Sequence, residues 1–301
     1  MDNDKLLSNR IDIMLVYDAT NCNPNGDPDM DNEPRQNIIN NHGLVSDVCL
    51  KYLIRRTIEQ RHEGEQGYTM FVRPRTVKEE TYGKFVADET GLTLNEAQEA
   101  GKKLPANKLN EAIRRNFYDI RAFGGAMTTA QNYDLKGVEK QITGPVQVEF
   151  GESLDAIAPQ EIPITCCAIA SVKESEEGKE STMGAKQILP YALYTQRLHI
   201  SGHQAERAGF TEKDLEYLIE ALRDMFELNR SASRSGMVLR KLYLFRHADK
   251  YGKAPAHVIF DTIKFQKHFE GPYPTSYADY EITVDEDAIP EGVTLTKVVD
   301  Y

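Results

Sequence analysis

Cysteine is scarce in this chain of 301 residues: Cys22, Cys49, Cys166 and Cys167, with no C-x-x-C pair. That spacing argues against a disulfide framework or a zinc site and for reduced thiols in a cytosolic protein. Long apolar runs are also missing, so no membrane span is expected. Met1–Arg10 has no apolar signal region and carries two Asp, which argues against secretion. There is no Walker loop, no G-x-G-x-x-G and no G-x-S-x-G. Acids are plentiful, but none forms a pair that reads as catalytic. Basic residues are in deficit, 36 Lys and Arg against 47 Asp and Glu, for a formal net charge of −11. What remains is ordinary globular material, 40% hydrophobic and 28% charged, enough to build a sizeable core.

The negative charge is unevenly placed. Residues 1–34 carry two basic and eight acidic side chains, and residues 270–301 carry one and eight. Between them, residues 229–253 hold Arg230, Arg234, Arg240, Lys241, Arg246, Lys250 and Lys253 against the single acid Asp249. Such a stretch can be a local phosphate-binding surface, or a solvated face balanced by acids elsewhere.

Arg10–Asp18 alternates around Ile11, Ile13, Leu15 and Tyr17 and reads as a strand. The polar segment N-C-N-P-N-G-D-P-D-M-D-N-E-P-R is dense in turn formers. Its Asp27, Asp29, Asp31 and Glu33 open like a calcium loop, but Asn32 and Ile38 stand where an EF-hand needs Gly and Glu, so turn chemistry explains it better. Ser46 caps a helix to about Gln60, with Val45, Val48, Cys49, Tyr52 and Leu53 as its apolar stripe and Lys51 and Arg55 along one flank. Residues 61–104 show no clear pattern. A helix over 106–120 carries Leu109, Ile113 and Phe117 and ends at Gly124-Gly125. Strands are expected at 145–150, 162–171 and 185–200, with Lys173–Thr182 as the turn between the last two. Thr211 opens a helix to about Leu228, and Met237–Arg246 and His257–Phe265 read as strands. Simplified, the order is β-α-β-β-α-β with insertions, an α+β ferredoxin-like pattern that RNA-recognition (RRM) domains share.

Three segments combine features that suit an extended anionic ligand. F-G-G-A-M-T-T offers two glycines, Gly124 and Gly125, that let a backbone pass close and present N–H groups, with Arg121, Phe123, Met127 and Thr128 beside them. A helix C-cap with an apolar anchor is the plainer account of the same residues. T-M-G-A-K-Q places Met183 beside Lys186 and Gln187, or is simply a strand start. R-S-A-S-R-S-G supplies Arg230 and Arg234, or is simply a polar loop. His199 and His203 are four apart without an accompanying H-E-x-x-H glutamate and read as structural.

These motifs occur together and in order with N-P-N-G-D-P, H-G-L-V-S-D-V-C-L-K, N-F-Y-D-I-R-A-F-G-G-A-M-T-T, I-T-G-P-V-Q, T-M-G-A-K-Q-I-L-P-Y-A-L-Y, M-F-E-L-N-R-S-A-S-R-S and A-P-A-H-V-I-F. As a set, from about residue 10 to 300, they resemble the Cas-seven backbone subunit of type I-C (Dvulg) CRISPR surveillance complexes, Cascade. The resemblance implies an RRM-like palm with an inserted finger region and a protruding thumb β-hairpin. The palm would be 1–60 and 146–269, the fingers 61–145, the thumb about 170–190, and 270–301 an acidic C-terminal segment.

It further implies a non-catalytic subunit without cofactor or metal, polymerising head to tail along CRISPR RNA (crRNA) in the prokaryotic cytoplasm. Its implied partners are the guide, target DNA paired to it, a Cas-five-type crRNA-processing subunit, the large and small Cascade subunits and, indirectly, a recruited helicase–nuclease. Lys51 and Arg55 match the basic first helix along the guide. Phe123 to Thr128 match the Gly-rich turn, and Met183 and Lys186 the thumb motif. The family commonly shows T-M-G-R-K-H, where this chain has Ala185 and Gln187, so one cation is absent. The alternative within the wider superfamily is an RNA endonuclease.

Overall fold

The computed structural model describes residues 5–166 and 182–301. Its centre is a sheet built around β1 (Ile11–Cys22). The chain continues through α1 (Asp47–Arg61), β2 (Gly151–Ala156), β3 (Thr182–Ile200), α2 (Glu212–Leu228) and β4 (Met237–His247). β1 lies antiparallel between β3, with Ile11 opposite Ile200, and β4, with Ile11 opposite Arg246. β2 pairs with β3 through Tyr194 and Ser153. β5 (Val293–Asp300) adds an outer strand on β4. The order β5-β4-β1-β3-β2 contains the two β-α-β halves that the sequence pattern implied.

Local chemistry accounts for both helices. The Ser46 hydroxyl accepts from the Cys49 N–H at 3.2 Å and caps α1. Thr211 and Asp214 form a reciprocal capping box at the start of α2. α1 buries Cys49, Leu50, Leu53, Ile54 and Ile58 against the sheet, and α2 buries Leu215, Leu218, Leu222, Met225 and Phe226. The stripe on α1 is rotated from the expected one: Leu50 and Ile54 take the core, while Val48 is 67% exposed and Tyr52 half-buried.

The opposite sheet face is also covered. Met14, Val16, Leu193, Tyr243 and Phe245 pack against Ile259, Phe260, Ile263 and Tyr280. The expected strand His257–Phe265 is instead a helix, Ala256–Phe260, followed by a strand, Ile263–Lys267, paired with Tyr280–Val284. Pro255, with φ −61°, starts the turn into that helix, and Ile259 and Phe260 drive into the core. The acidic stretch 270–301 is thus folded onto the sheet and its edge.

Residues 71–142 hold a separate core of Phe71, Tyr82, Phe85, Leu109, Ile113, Phe117 and Ile142. Two helices, Lys78–Thr90 and Leu94–Ala100, occupy the stretch without a clear pattern. The expected single helix over 106–120 is two, Ala106–Asn116 and Tyr118–Phe123, because Phe117 is extended and bridges Thr69. A further hairpin pairs Gln160–Cys166 with the first residues of β3, Thr182 opposite Cys166. The expected turn at 173–181 lies outside the described residues.

Candidate nucleic-acid interface

The exposed side of α1 carries Val48, Lys51, Tyr52, Arg55 and Arg56 at three- and four-residue steps. Lys51 and Arg55 meet the ring of Phe123, 5.9 and 5.3 Å from its centroid. Residues about seventy positions apart in the chain therefore form one cation–aromatic cluster. Neither cation is loose. Lys51 Nζ bonds Asp47 at 2.9 Å. Arg55 Nε bonds the fully buried Asp119 at 2.9 Å, and Asp119 also accepts from the N–H groups of Phe71 and Val72.

Phe123 leads into the Gly-rich segment, which pairs antiparallel with the I-T-G-P motif: Gly124 opposite Thr143 and Gly125 opposite Ile142. Gly124 has φ +72°, and a Cβ there would stand 2.3 Å from the Ile142 carbonyl oxygen. A Cβ on Gly144 would stand 2.3 Å from the Ala122 carbonyl oxygen. Both glycines are required for this close crossing of two backbones. Thr128 is exposed just beyond it.

Two expected site residues lie elsewhere. Arg121 is buried, holding Asp214 through Nε at 2.9 Å and Nη2 at 2.6 Å and donating to the carbonyls of Gly67, Arg114 and Arg115. Burial acts to lower its pKa, yet the Asp214 contact raises it above the ordinary arginine value. Its five donors are consumed inside the protein, so the expectation of a ligand contact is corrected. Met127 is 2% exposed in the 71–142 core and is corrected likewise.

A second group forms at the other end of α1. Arg234 Nε donates to the Pro24 carbonyl at 3.3 Å, and the Asn23 N–H to Ser233 at 2.7 Å. Asn25 accepts from the Ser46 N–H at 2.8 Å. The N-P-N-G segment is thereby wedged between the start of α1 and the R-S-A-S-R-S-G loop. Asp27 is used within its own turn, accepting from Asp29 and Arg35. Lys186 Nζ reaches the Ala232 carbonyl at 2.6 Å, tying the start of β3 to the same loop. Gln187 bonds Glu161 across the hairpin at 2.8 Å, and Arg230 pairs with Glu227. The Met183 side chain lies outside the described residues; its backbone pairs with Thr165.

The basic stretch 229–253 is largely neutralised: Arg240 by Asp18, Lys241 by Asp300, Arg246 by Glu212, Lys250 by Glu206 and Lys253 by Asp249. Arg234 alone of the seven has no carboxylate partner among the described residues. The pairing agrees with the balanced-face reading of this stretch. Sequence reasoning passed over Arg35, Tyr52 and Phe150, which line one cavity of about 550 Å³ with Val48 and Arg234. Exposed apolar residues beside turn-forming polar ones were the only available signal.

Residues 9–285 match the family described as CRISPR-associated protein Cas7. The chain belongs to the Cas7 family. A curated relative, CRISPR-associated protein Cas7 of Haloferax volcanii, is 24% identical over 220 residues, 70% of this chain and 62% of that protein. The match thus spans less than two thirds of the relative's length. Among solved structures, a chain of a CRISPR RNA-guided surveillance complex in a pre-nicking state is similar, with TM-score 0.51 and 13% identity over 78% of each chain. At that identity the likeness concerns the fold, and it agrees with the α+β sheet architecture described above.

Proposed function

We propose that this Cas7 protein is the non-catalytic backbone subunit of a type I-C Cascade. In this reading copies assemble head to tail along crRNA and present the guide for pairing with target DNA in the prokaryotic cytoplasm. The observation that carries the reading is the meeting of Lys51, Arg55 and Phe123 beside the Gly124–Gly144 crossing. Cations hold phosphate and an aromatic ring stacks on a base; neither reads sequence. That suits a protein whose specificity is delegated to guide pairing. Residues 61–145 would be the fingers, the hairpin at about 170–190 the thumb, and the rest of 1–269 the palm. The conventional RRM route, bases stacked on the open sheet face, is closed here because 256–300 covers that face. The guide would therefore run along α1, with Lys186, Gln187, Arg230 and Arg234 at its far end. Head-to-tail contacts are heterologous and build a filament rather than a closed dimer. The Cas-five-type, large and small subunits would be this chain's partners in the complex, with the helicase–nuclease recruited indirectly.

The test is co-purification from a host expressing a CRISPR array, followed by sequencing of bound RNA. Array-derived guides of every spacer should be recovered in proportion to their expression. Recovery of unrelated RNA only, or cleavage of bound RNA that one acid-to-amide change abolishes, would replace this reading with the endonuclease one.

A further inference from the structure

Val48 and Phe150 pose a packing anomaly. Val48 is 67% and Phe150 57% exposed, yet both line the same 550 Å³ cavity at the start of α1. A contiguous apolar patch beside polar groups marks a binding surface. Tyr52 adds a half-buried aromatic wall, and its hydroxyl accepts from Arg56 at 3.1 Å. The remaining walls are Asn25, Ser46, Cys49, Asp47, whose carboxylate is paired with Lys51, and the guanidinium groups of Arg35 and Arg234. Arg234 has only a carbonyl partner, and Arg35 bonds Asp27 through Nη1 while its buried Nε has no hydrogen-bond partner. Apolar surface therefore faces two guanidinium groups with spare donors. A protein side chain of one character would satisfy only half of these walls. A free anion would leave Val48 and Phe150 in water. A nucleotide satisfies both, with a flat base for the apolar walls and a phosphate for the arginines.

We propose that this cavity is a nucleobase slot: one base of a bound single strand stacks on Phe150 and Val48, with its phosphate at Arg234. The slot rests on the reading of α1 as the guide-facing helix. Val48, Lys51 or Tyr52, and Arg55 share one helical stripe, which rises about 10 Å from Val48 to Arg55. A strand lying against Lys51, Arg55 and Phe123 continues directly into the slot. Base contact here is stacking on a face that every base possesses, so it sets spacing without selecting sequence.

The experiment uses the full chain, its Phe150→Ala and Phe150→Tyr variants, and two labelled probes: an oligoadenylate and an abasic ribose-phosphate strand of equal length. Phe150→Ala should bind oligoadenylate about tenfold more weakly, the size of one lost stacking contact. Phe150→Tyr should restore affinity. Binding of the abasic strand should be the same in all three proteins, and the salt slope should not change, because no phosphate contact is removed. Melting temperatures should match, since Phe150 is exposed. Equal binding of oligoadenylate by wild type and Phe150→Ala would overturn the slot and leave the guide-binding reading standing. Normal oligoadenylate binding with failed assembly on a long guide would assign the surface to a second copy and also overturn the slot. Wild type that binds neither probe would overturn the guide-binding reading and the slot with it.

Discussion

A buried carboxylate decides how much of Arg55 is available to a ligand. Asp119 has no solvent exposure and takes three donors, the Nε of Arg55 and the N–H groups of Phe71 and Val72. Arg55 therefore serves the fold through Nε, while its Nη groups have no hydrogen bond among the described residues. Besides the Phe123 ring, Lys51 meets Asp47 one turn away, an ion pair of the kind that contributes a few tenths of a kcal/mol. The two cations should thus separate on mutation. Lys51→Ala should fold normally and flatten the slope of log affinity against log salt by about 0.7, one phosphate contact on a single strand. Arg55→Ala should flatten it similarly and also lower stability by about 1–3 kcal/mol, because Asp119 loses a buried partner. Salt titrations with guide RNA and denaturant melts of the free protein measure the two effects. A folded Lys51→Ala with the wild-type slope would show that this flank faces something other than phosphate. The sequence placed both cations on the helix flank correctly, because the three- and four-residue spacing is local. It could not show Asp119, which lies 64 residues further along the chain.

At the scale of elements, Arg121 is the joint between the inserted region and the palm. It ends one helix by bonding the carbonyls of Arg114 and Arg115, and starts another by gripping Asp214, the capping-box residue of α2. Tyr68 and Tyr118 flank its guanidinium at 5.5 and 5.6 Å. The local string R-A-F-G-G-A looks like a ligand-facing turn because its cation, ring and glycines are adjacent. Phe123 does meet α1, but Arg121 points its donors at partners from 6 to 93 residues away. The same limit explains the divided helix. Leu109, Ile113 and Phe117 keep helical spacing, yet the bridge from Phe117 to Thr69 forces an extended residue between two helices. Arg121→Met should cost about 3–5 kcal/mol by leaving Asp214 buried and unpaired. The variant's RNA salt slope, measured at a temperature where it is folded, should match the wild type. A flattened slope without loss of stability would return Arg121 to the ligand surface.

Over the whole molecule, the acidic ends and the basic stretch answer one another. Asp18 holds Arg240, Asp300 holds Lys241, and Asp12 sits at the centre of the sheet among Arg10, His199 and His247. Composition showed the asymmetry; only the strand order β5-β4-β1-β3 shows that it closes on itself. The β1 alternation was legible, but it did not show that both faces are covered: Met14 and Val16 face a second layer built from residues beyond 255. That layer removes water from Asp12. Burial works to raise its pKa, but the hydrogen bonds from His199 and His247 and the Arg10 charge hold it below the ordinary carboxylate value. His199 is shifted the other way: its bond to Asp12 at 2.5 Å raises it, against partial burial, with Glu149 at 2.8 Å assisting.

A raised histidine contributes stability that is complete below its ordinary pKa and fades as pH rises through the raised value. A lowered aspartate contributes stability that is present above its ordinary pKa and fades as pH falls through the lowered value. Both contributions are present together in mildly acidic solution. His199→Gln should therefore lower the melting temperature more at about pH 5.5 than at about pH 8.5, since the charged pair it removes is more fully populated at the lower pH. Thermal melts of wild type and variant across that range, at fixed ionic strength, give the difference directly. An equal loss at both ends would mean that His199 stabilises the sheet as a neutral hydrogen-bonding ring, and that the charge on Asp12 is balanced without it.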